Sequence, residues 1–290
     1  MEFIAKVPIT KGWSGDQKFC VTAEDGQKYL LRVSDITAYE RKKAEFDMMA
    51  RVHALGVVTP KPCEFGLCDD GQSVYSLTGW LEGEDAASAL PRINEAEQYA
   101  LGLQAGQTLR KIHAIPAPDG TKDWAARFDK KVQYWLDDYN AKPEVHSENS
   151  EMAIRYLREN REVLAHRRQT FIHGDYNAEN IMVMPEGKIG VIDFSSFNSA
   201  YGDPWWDFNM VAWMETMYPH FYTGQVRGYF EGDPPMEFWH VFAYYLAYDV
   251  LAALTDPYGL NGLEDGTEIA RNILSWIDYF RNPVPTWYLK

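Results

Sequence analysis

The sequence predicts an α+β chain with two lobes: a small five-stranded antiparallel β lobe carrying one helix, then a larger, mostly helical lobe. Three observations carry this. In the first eighty residues short apolar runs alternate with turn residues, the pattern of strands and hairpins. From residue 94 onward apolar residues recur at helical spacing. Within the helical part sits a polar stretch, Phe171-Ile172-His173-Gly174-Asp175-Tyr176-Asn177-Ala178-Glu179-Asn180, followed by two short apolar runs and Ile192-Asp193-Phe194. The boundary is placed after residue 82, giving lobes 1–82 and 83–290.

Taken in order, residues 3–9, 18–23 and 28–33 read as strands, the last two joined by the turn Glu24-Asp25-Gly26. Ser34-Asp35 can cap the helix that follows. Phe46, Met49, Ala50 and His53 recur at i, i+3, i+4 and i+7, which predicts a buried helical face. Gly56 ends that helix. Residues 63–66 and 73–78 are strands four and five, with Asp69-Asp70-Gly71 in the turn. In the second lobe Gly102, Ala105, Gly106, Leu109, Ile112 and His113 share a helical face whose small members let another helix come close. His113 reads as a packed core histidine. Pro116-Ala117-Pro118 stops the helix. Further helices are expected over 123–140, 148–166, 236–255 and 263–281. The third of these is rich in aromatics.

With 290 residues, 46% of them hydrophobic, the chain can bury a large core. A net charge of −14 argues against a nucleic-acid partner, which needs a basic face. Cys20, Cys63 and Cys68 are odd in number and scattered, so they read as reduced thiols without a disulfide framework. The N-terminus lacks a basic segment followed by an apolar one, and no apolar run is long enough to span a membrane. The expectation is a cytoplasmic protein with no membrane or obligate protein partner.

The polar stretch carries the chemistry. The apolar runs 181–184 and 189–192 form a hairpin around Pro185-Glu186-Gly187-Lys188. The hairpin brings Asp193 back beside Asn180, with Asp175 one loop away. An aspartate that accepts a hydroxyl proton, with an asparagine and a second aspartate that hold magnesium on nucleotide phosphates, is the equipment of phosphoryl transfer.

His173-Gly174-Asp175 with Asn180, then Asp193-Phe194 after a hairpin, resembles the catalytic core of the aminoglycoside phosphotransferase family, the small-molecule branch of the protein-kinase-like fold. The resemblance spans about residues 10–210 and implies a bilobal kinase-like architecture, with a nucleotide-binding lobe at 1–82 and a catalytic and substrate lobe at 83–290. It implies ATP or GTP and Mg²⁺ as cofactors, Asp175 as the catalytic base, and Asn180 and Asp193 as metal ligands. The loop Gly12-Trp13-Ser14-Gly15-Asp16 would cover the phosphates, with Ser14 a donor. Arg32 stands where the family carries a strand-three lysine, a departure that keeps the charge and changes the geometry. Glu45 would pair with Arg32 and aim it at the phosphates, with Glu40 as the fallback. Backbone groups near Gly79 and Leu81 would meet the adenine edge. Asp207 would hold the catalytic loop by hydrogen bonds. Asp249, Asp256, Glu264, Asp265 and Glu268 are candidates to line the acceptor site.

Only about ten residues separate Asp193 from Asp203-Pro204, and no Ala-Pro-Glu anchor follows, which disfavours a peptide substrate. The implied function is phosphorylation of a hydroxyl on a small molecule, with an aminoglycoside leading because a polycation suits an acidic protein, and hence an antibiotic-resistance role. Two alternatives stand beside it. One is a kinase of choline or another small metabolite, with aromatics caging a quaternary amine. The other is a nucleotide-binding pseudokinase of low activity, suggested by Arg32.

Overall fold

The computed structural model describes residues 2–10, 15–194, 200–214, 216–255 and 263–289. The chain packs as two compact units: Met1–Pro91 with Ala178–Ser199, and Arg92–Asn177 with Ala200–Lys290.

In the first unit β1 (Phe3–Ile9), β2 (Gln17–Ala23) and β3 (Lys28–Asp35) precede helix α1 (Tyr39–Ala54), and β4 (Pro62–Cys68) and β5 (Ser73–Gly79) follow it. The five strands form one antiparallel sheet in the order β1-β2-β3-β5-β4. Side chains alternate between the faces of a sheet. Val21, Ala23, Tyr29 and Leu77 therefore cluster on one face with Phe19 and Leu31 beside them. Arg32 and Ser34, of opposite parity on β3, belong to the other face. The α+β class and the helix-bearing five-stranded sheet stand as expected.

Helix α1 departs from its expected face. Its buried residues are Lys42, Glu45 and Val52, while Ala50 and His53 are exposed. The helix is rotated from the orientation its apolar spacing predicts, because two charged side chains go inward as an ion pair. An apolar periodicity cannot register that.

After β5 come β6 (Glu84–Asp85) and the single turn α2 (Ala86–Ala89). The second unit then opens with α3 (Glu95–Ile112), α4 (Trp124–Ala141), α5 (Glu148–Glu159) and strand β7 (Thr170–Ile172). The chain returns to the first unit for β8 (Ile181–Val183) and β9 (Ile189–Val191), which with β6 make a three-stranded sheet. It ends in the second unit with β10 (Ala200–Gly202), a 3₁₀ segment Pro204–Trp213, α6 (Pro219–Phe230), α7 (Met236–Thr255) and α8 (Leu263–Trp276). Beside the expected cut after residue 82, the first unit also holds the β8–β9 hairpin, whose β8 pairs with β6.

The core of the second unit is aromatic. Trp124, Phe128, Trp206, Tyr245 and Tyr248 pack together, and α7 is buried along nearly its whole length. A helix that is apolar all round belongs in a core. Among the described residues no helix is long and apolar enough to cross a membrane. Cys20, Cys63 and Cys68 are free.

Helix α3 crosses α6 through glycines. A methyl group on Gly102 would run into the Phe221 carbonyl, and one on Gly106 into the Gln225 carbonyl; on the facing helix, Gly224 and Gly228 abut the backbone of Tyr99 and Leu103. Helix propensity alone predicts that Gly106→Ala stabilises by about 1 kcal/mol. Overpacking predicts a loss of about 1–3 kcal/mol. We expect the loss, read as a lower urea midpoint at unchanged slope; a raised midpoint would show that the helices can separate freely.

Candidate active site

In the first unit the candidate residues stand at the end of the β8–β9 hairpin. Ile181 pairs with Val191, Met182 with Gly190 and Val183 with Ile189. One step beyond, the Ile192 N–H donates to the Asn180 carbonyl at 3.0 Å. Asn180 and Asp193 thus leave the ladder at the same end, as their spacing predicts. Asp193 has φ 64°, a left-handed conformation that aspartate tolerates better than most residues. Its carboxylate is part-exposed, with Oδ1 3.6 Å from Nη2 of Arg32.

An amide oxygen and a carboxylate are hard donors, suited to magnesium. Among the described residues no three His, Cys, Asp or Glu side chains gather as a cage of their own. Two oxygen-bearing side chains fit a magnesium that completes its shell with waters and phosphate oxygens.

In the second unit the candidate residues stand on the loop His173–Asn177, which follows β7. Strand β7 pairs with β10, setting Ile172 opposite Ala200. Asp207 is fully buried and organises the loop. Its Oδ2 accepts the His173 N–H at 2.8 Å, and its Oδ1 accepts the Gly174 N–H at 2.6 Å. Gly174 has φ +78°, which glycine adopts without a Cβ penalty. The loop is held at two further points: the Asp175 N–H meets Nδ1 of His173 at 3.3 Å, and the buried Tyr176 hydroxyl donates to the Ala105 carbonyl at 2.8 Å. Burial pushes the Tyr176 phenol well above its usual range, so the hydroxyl stays a donor. Asp175 Oδ1 accepts from Asn177 Nδ2 at 2.7 Å.

His113 does more than pack. Its Nε2 lies 2.9 Å from Asp207 Oδ2 and its Nδ1 3.0 Å from the Tyr229 hydroxyl. The two partners assign the tautomer: Nε2–H donates to the carboxylate and Nδ1 accepts from the phenol. Spacing placed His113 in the core, and only the fold shows what it meets there.

The charged groups of the first unit are arranged differently from expectation. Glu45 forms ion pairs with Lys42 at 3.2 Å and Arg41 at 3.4 Å. The expected Glu45–Arg32 pair is not among the ion pairs of the described residues, and Arg32 faces Asp193 instead. Lys42 also reaches Asp16 at 2.6 Å, and Asp16 accepts from the Ser34 hydroxyl at 2.7 Å. By sequence, Asp16 is named only as the last residue of the loop expected over the phosphates, and Lys42 is not singled out.

Burial opposes the charge on Asp16, yet hydrogen bonds from Lys42 and Ser34 and the charges of Lys42 and Arg32 outweigh it and hold the carboxyl below its usual value. A carboxylate with a lowered folded-state pKa adds stability that is fully present above the ordinary value near ~3.9 and is lost as pH falls through the lowered one. Asp16→Asn should therefore flatten the melting-temperature profile below about pH 4. An acid limb identical to the native one would remove Asp16 from the pair.

Of the remaining candidates, Ser14 lies outside the described residues. The Gly79 N–H donates to the Lys61 carbonyl at 2.8 Å, so it meets a nucleotide base only by giving up that bond; Leu81 keeps its place just past β5. Asp249 is buried and accepts from Asn209 and Trp213, and burial pushes its carboxyl well above the usual range; it is a core group and not a wall of an open site. Glu268 is exposed. Asp256 and the side chains of Glu264 and Asp265 lie outside the described residues. The α7 aromatics Phe238, Trp239, Phe242, Tyr244 and Tyr245 are spent on core packing, leaving none of them open to cage a cation.

The fold has relatives of known structure. ADP-bound aminoglycoside phosphotransferase APH(2'')-Ib superposes with a TM-score of 0.64 at 14% identity, covering 100% of this chain and 96% of that one. Amicoumacin kinase in complex with AMP-PNP and Ca²⁺ gives a TM-score of 0.61 at 13% identity, over 96% and 90% of the two chains. A GDP complex of an aminoglycoside 2'-phosphotransferase of type IIIa gives 0.66 at 13% identity, over 98% and 95%. Likeness at these identities shows the fold. Among curated proteins, acyl-CoA dehydrogenase family member 10 of Mus musculus is 23% identical over 202 residues, 62% of this chain but only 18% of that protein's length. The family model described as "Phosphotransferase enzyme family" matches residues 7–239. With that match covering most of its length, the chain belongs to the phosphotransferase enzyme family.

Proposed function

We propose that this protein is a nucleotide- and magnesium-dependent kinase that phosphorylates a hydroxyl of a small molecule. The observation that carries the reading is the anchored loop: Asp207 fixes the backbone on the N-terminal side of Asp175, leaving its carboxylate part-exposed on a rigid base. In this role Asp175 orients the acceptor hydroxyl and takes its proton as the oxygen attacks the terminal phosphorus, and the nucleoside diphosphate leaves. Asn180 and Asp193 supply the oxygens that hold the metal. Magnesium, when bound, neutralises charge building on the phosphate oxygens. Arg32, next to Asp193, steadies the phosphates. A nucleotide base would meet the backbone near Leu81.

Structural relatives bound to ADP, AMP-PNP or GDP support a nucleotide, and leave ATP and GTP both open. An aminoglycoside is the leading acceptor: relatives in complex with streptomycin and gentamicin share the fold, and a net charge of −14 favours a polycation. A coupled assay of nucleoside-diphosphate release, run with Mg-ATP and Mg-GTP against aminoglycosides, macrolides, choline and sugar alcohols, tests this. Asp175→Asn is the blank. A second reading, nucleotide binding with little turnover, draws on the Arg32–Asp193 pair, in which an arginine occupies the carboxylate assigned to the metal. Nucleotide binding with no release above the blank for any acceptor would favour it.

A further inference from the structure

Three charged side chains of the first unit are almost wholly withdrawn from water: Asp16, Lys42 and Glu45 are 6%, 8% and 8% exposed. Burying charge is costly unless the partners are close and well bonded. Here they are, with Lys42 Nζ 2.6 Å from Asp16 Oδ2 and 3.2 Å from Glu45 Oε2. The trio joins three parts of the unit. Asp16 stands one residue before β2. Lys42 and Glu45 lie three residues apart on α1, neighbours on one helical face. Ser34, which donates to Asp16, lies two residues from Arg32 on β3 and so on the same face of the sheet.

Arg32 makes no ion pair with this trio among the described residues, although its charge reaches Asp16. It is 26% exposed and faces Asp193, and its buried Nε has no hydrogen-bond partner among the described residues. Two cations therefore share the work that one strand-three cation would do. One is locked onto the helix glutamate, and the other is directed at the carboxylate assigned to the metal.

We propose that Lys42 is a positioning residue of the nucleotide site, a helix-borne ammonium that pairs with Glu45 and ties α1 to Asp16 beside the start of β2, so that Arg32 is left to contact the phosphates. This rests on the nucleotide-binding reading above. A lysine at position 32 would be the single cation facing Glu45 and would make Lys42 dispensable.

The test is equilibrium binding of Mg-ATP and Mg-GTP to the full chain by calorimetry, with melting temperatures in parallel and no acceptor needed. Lys42→Met should weaken nucleotide binding about tenfold. Adding Arg32→Lys to Lys42→Met should bring affinity back to within about threefold of native. A purely structural lysine would lower the melting temperature without that rescue. Native affinity in Lys42→Met, or a loss that Arg32→Lys does not restore, overturns the proposal. If Lys42→Met does not fold, Glu45→Gln carries the test, since it leaves Lys42 paired with Asp16; it should show the same loss, and native affinity there overturns the proposal equally. Failure of the native chain to bind either nucleotide overturns the nucleotide reading itself, and this proposal with it.

Discussion

Asp175→Asn should lower phosphoryl transfer by about 10²–10⁴-fold, the usual contribution of a positioned acid–base group, while nucleotide affinity and melting temperature stay at native values. The substitution is nearly isosteric. An amide oxygen at the Oδ1 position still accepts from Asn177 Nδ2, so this bond can survive. The loop is held at His173, Gly174 and Tyr176, none of which changes. What disappears is the capacity to take a proton. The effect should therefore fall on kcat and leave KM for the nucleotide unchanged. Measured on any acceptor from the screen, native turnover in Asp175→Asn would take the base role away from this residue.

The second large effect is expected at Asp207. Its buried carboxylate accepts from two backbone N–H groups and one imidazole. Asp207→Ala leaves those donors without an acceptor, and each unsatisfied buried group costs roughly 1–3 kcal/mol. The sum should be about 3–5 kcal/mol, the range for breaking a buried charged contact. For a protein of this size that lowers the melting temperature by about 10 °C. Amide hydrogen exchange should accelerate at His173 and Gly174 first, because those N–H groups lose their acceptor directly. A variant that melts with the native protein and protects both amides would show that the loop stands without its buried carboxylate.

The sheet and the hairpin were legible because their signals are local. Alternating apolar residues between Gly and Asp turns specify strands, and the four residues Pro185–Lys188 between two β-branched runs specify that Asn180 and Asp193 come together. The same local reading failed on α1. There the residues that face inward are a lysine and a glutamate, and their partner Asp16 is 26 positions from Lys42. Nothing in the helix itself announces that its polar side is its buried side. Helix α6 carries no apolar stripe and was not foreseen as the partner, although the small face of α3 that receives it, with Gly102 and Gly106, was read from spacing. His113 and Asp207 are 94 positions apart, and their contact exists only once the second unit has assembled. Gly79 illustrates the reverse case: its position just before the connecting segment invited a ligand role, but the β lattice had already claimed its N–H.

The glycine crossing of α3 and α6 reaches further than its own stability. Helix α3 presents the Ala105 carbonyl that receives Tyr176 and ends at the His113 imidazole that meets Asp207, while α6 delivers Tyr229 to that same imidazole. The interlocked backbones act as a vernier that sets the height of both anchors at once. Slippage by one helical turn, about 5.4 Å, would carry them away together, so the alignment of the proton-handling loop is gauged by a contact in which no reactive atom takes part.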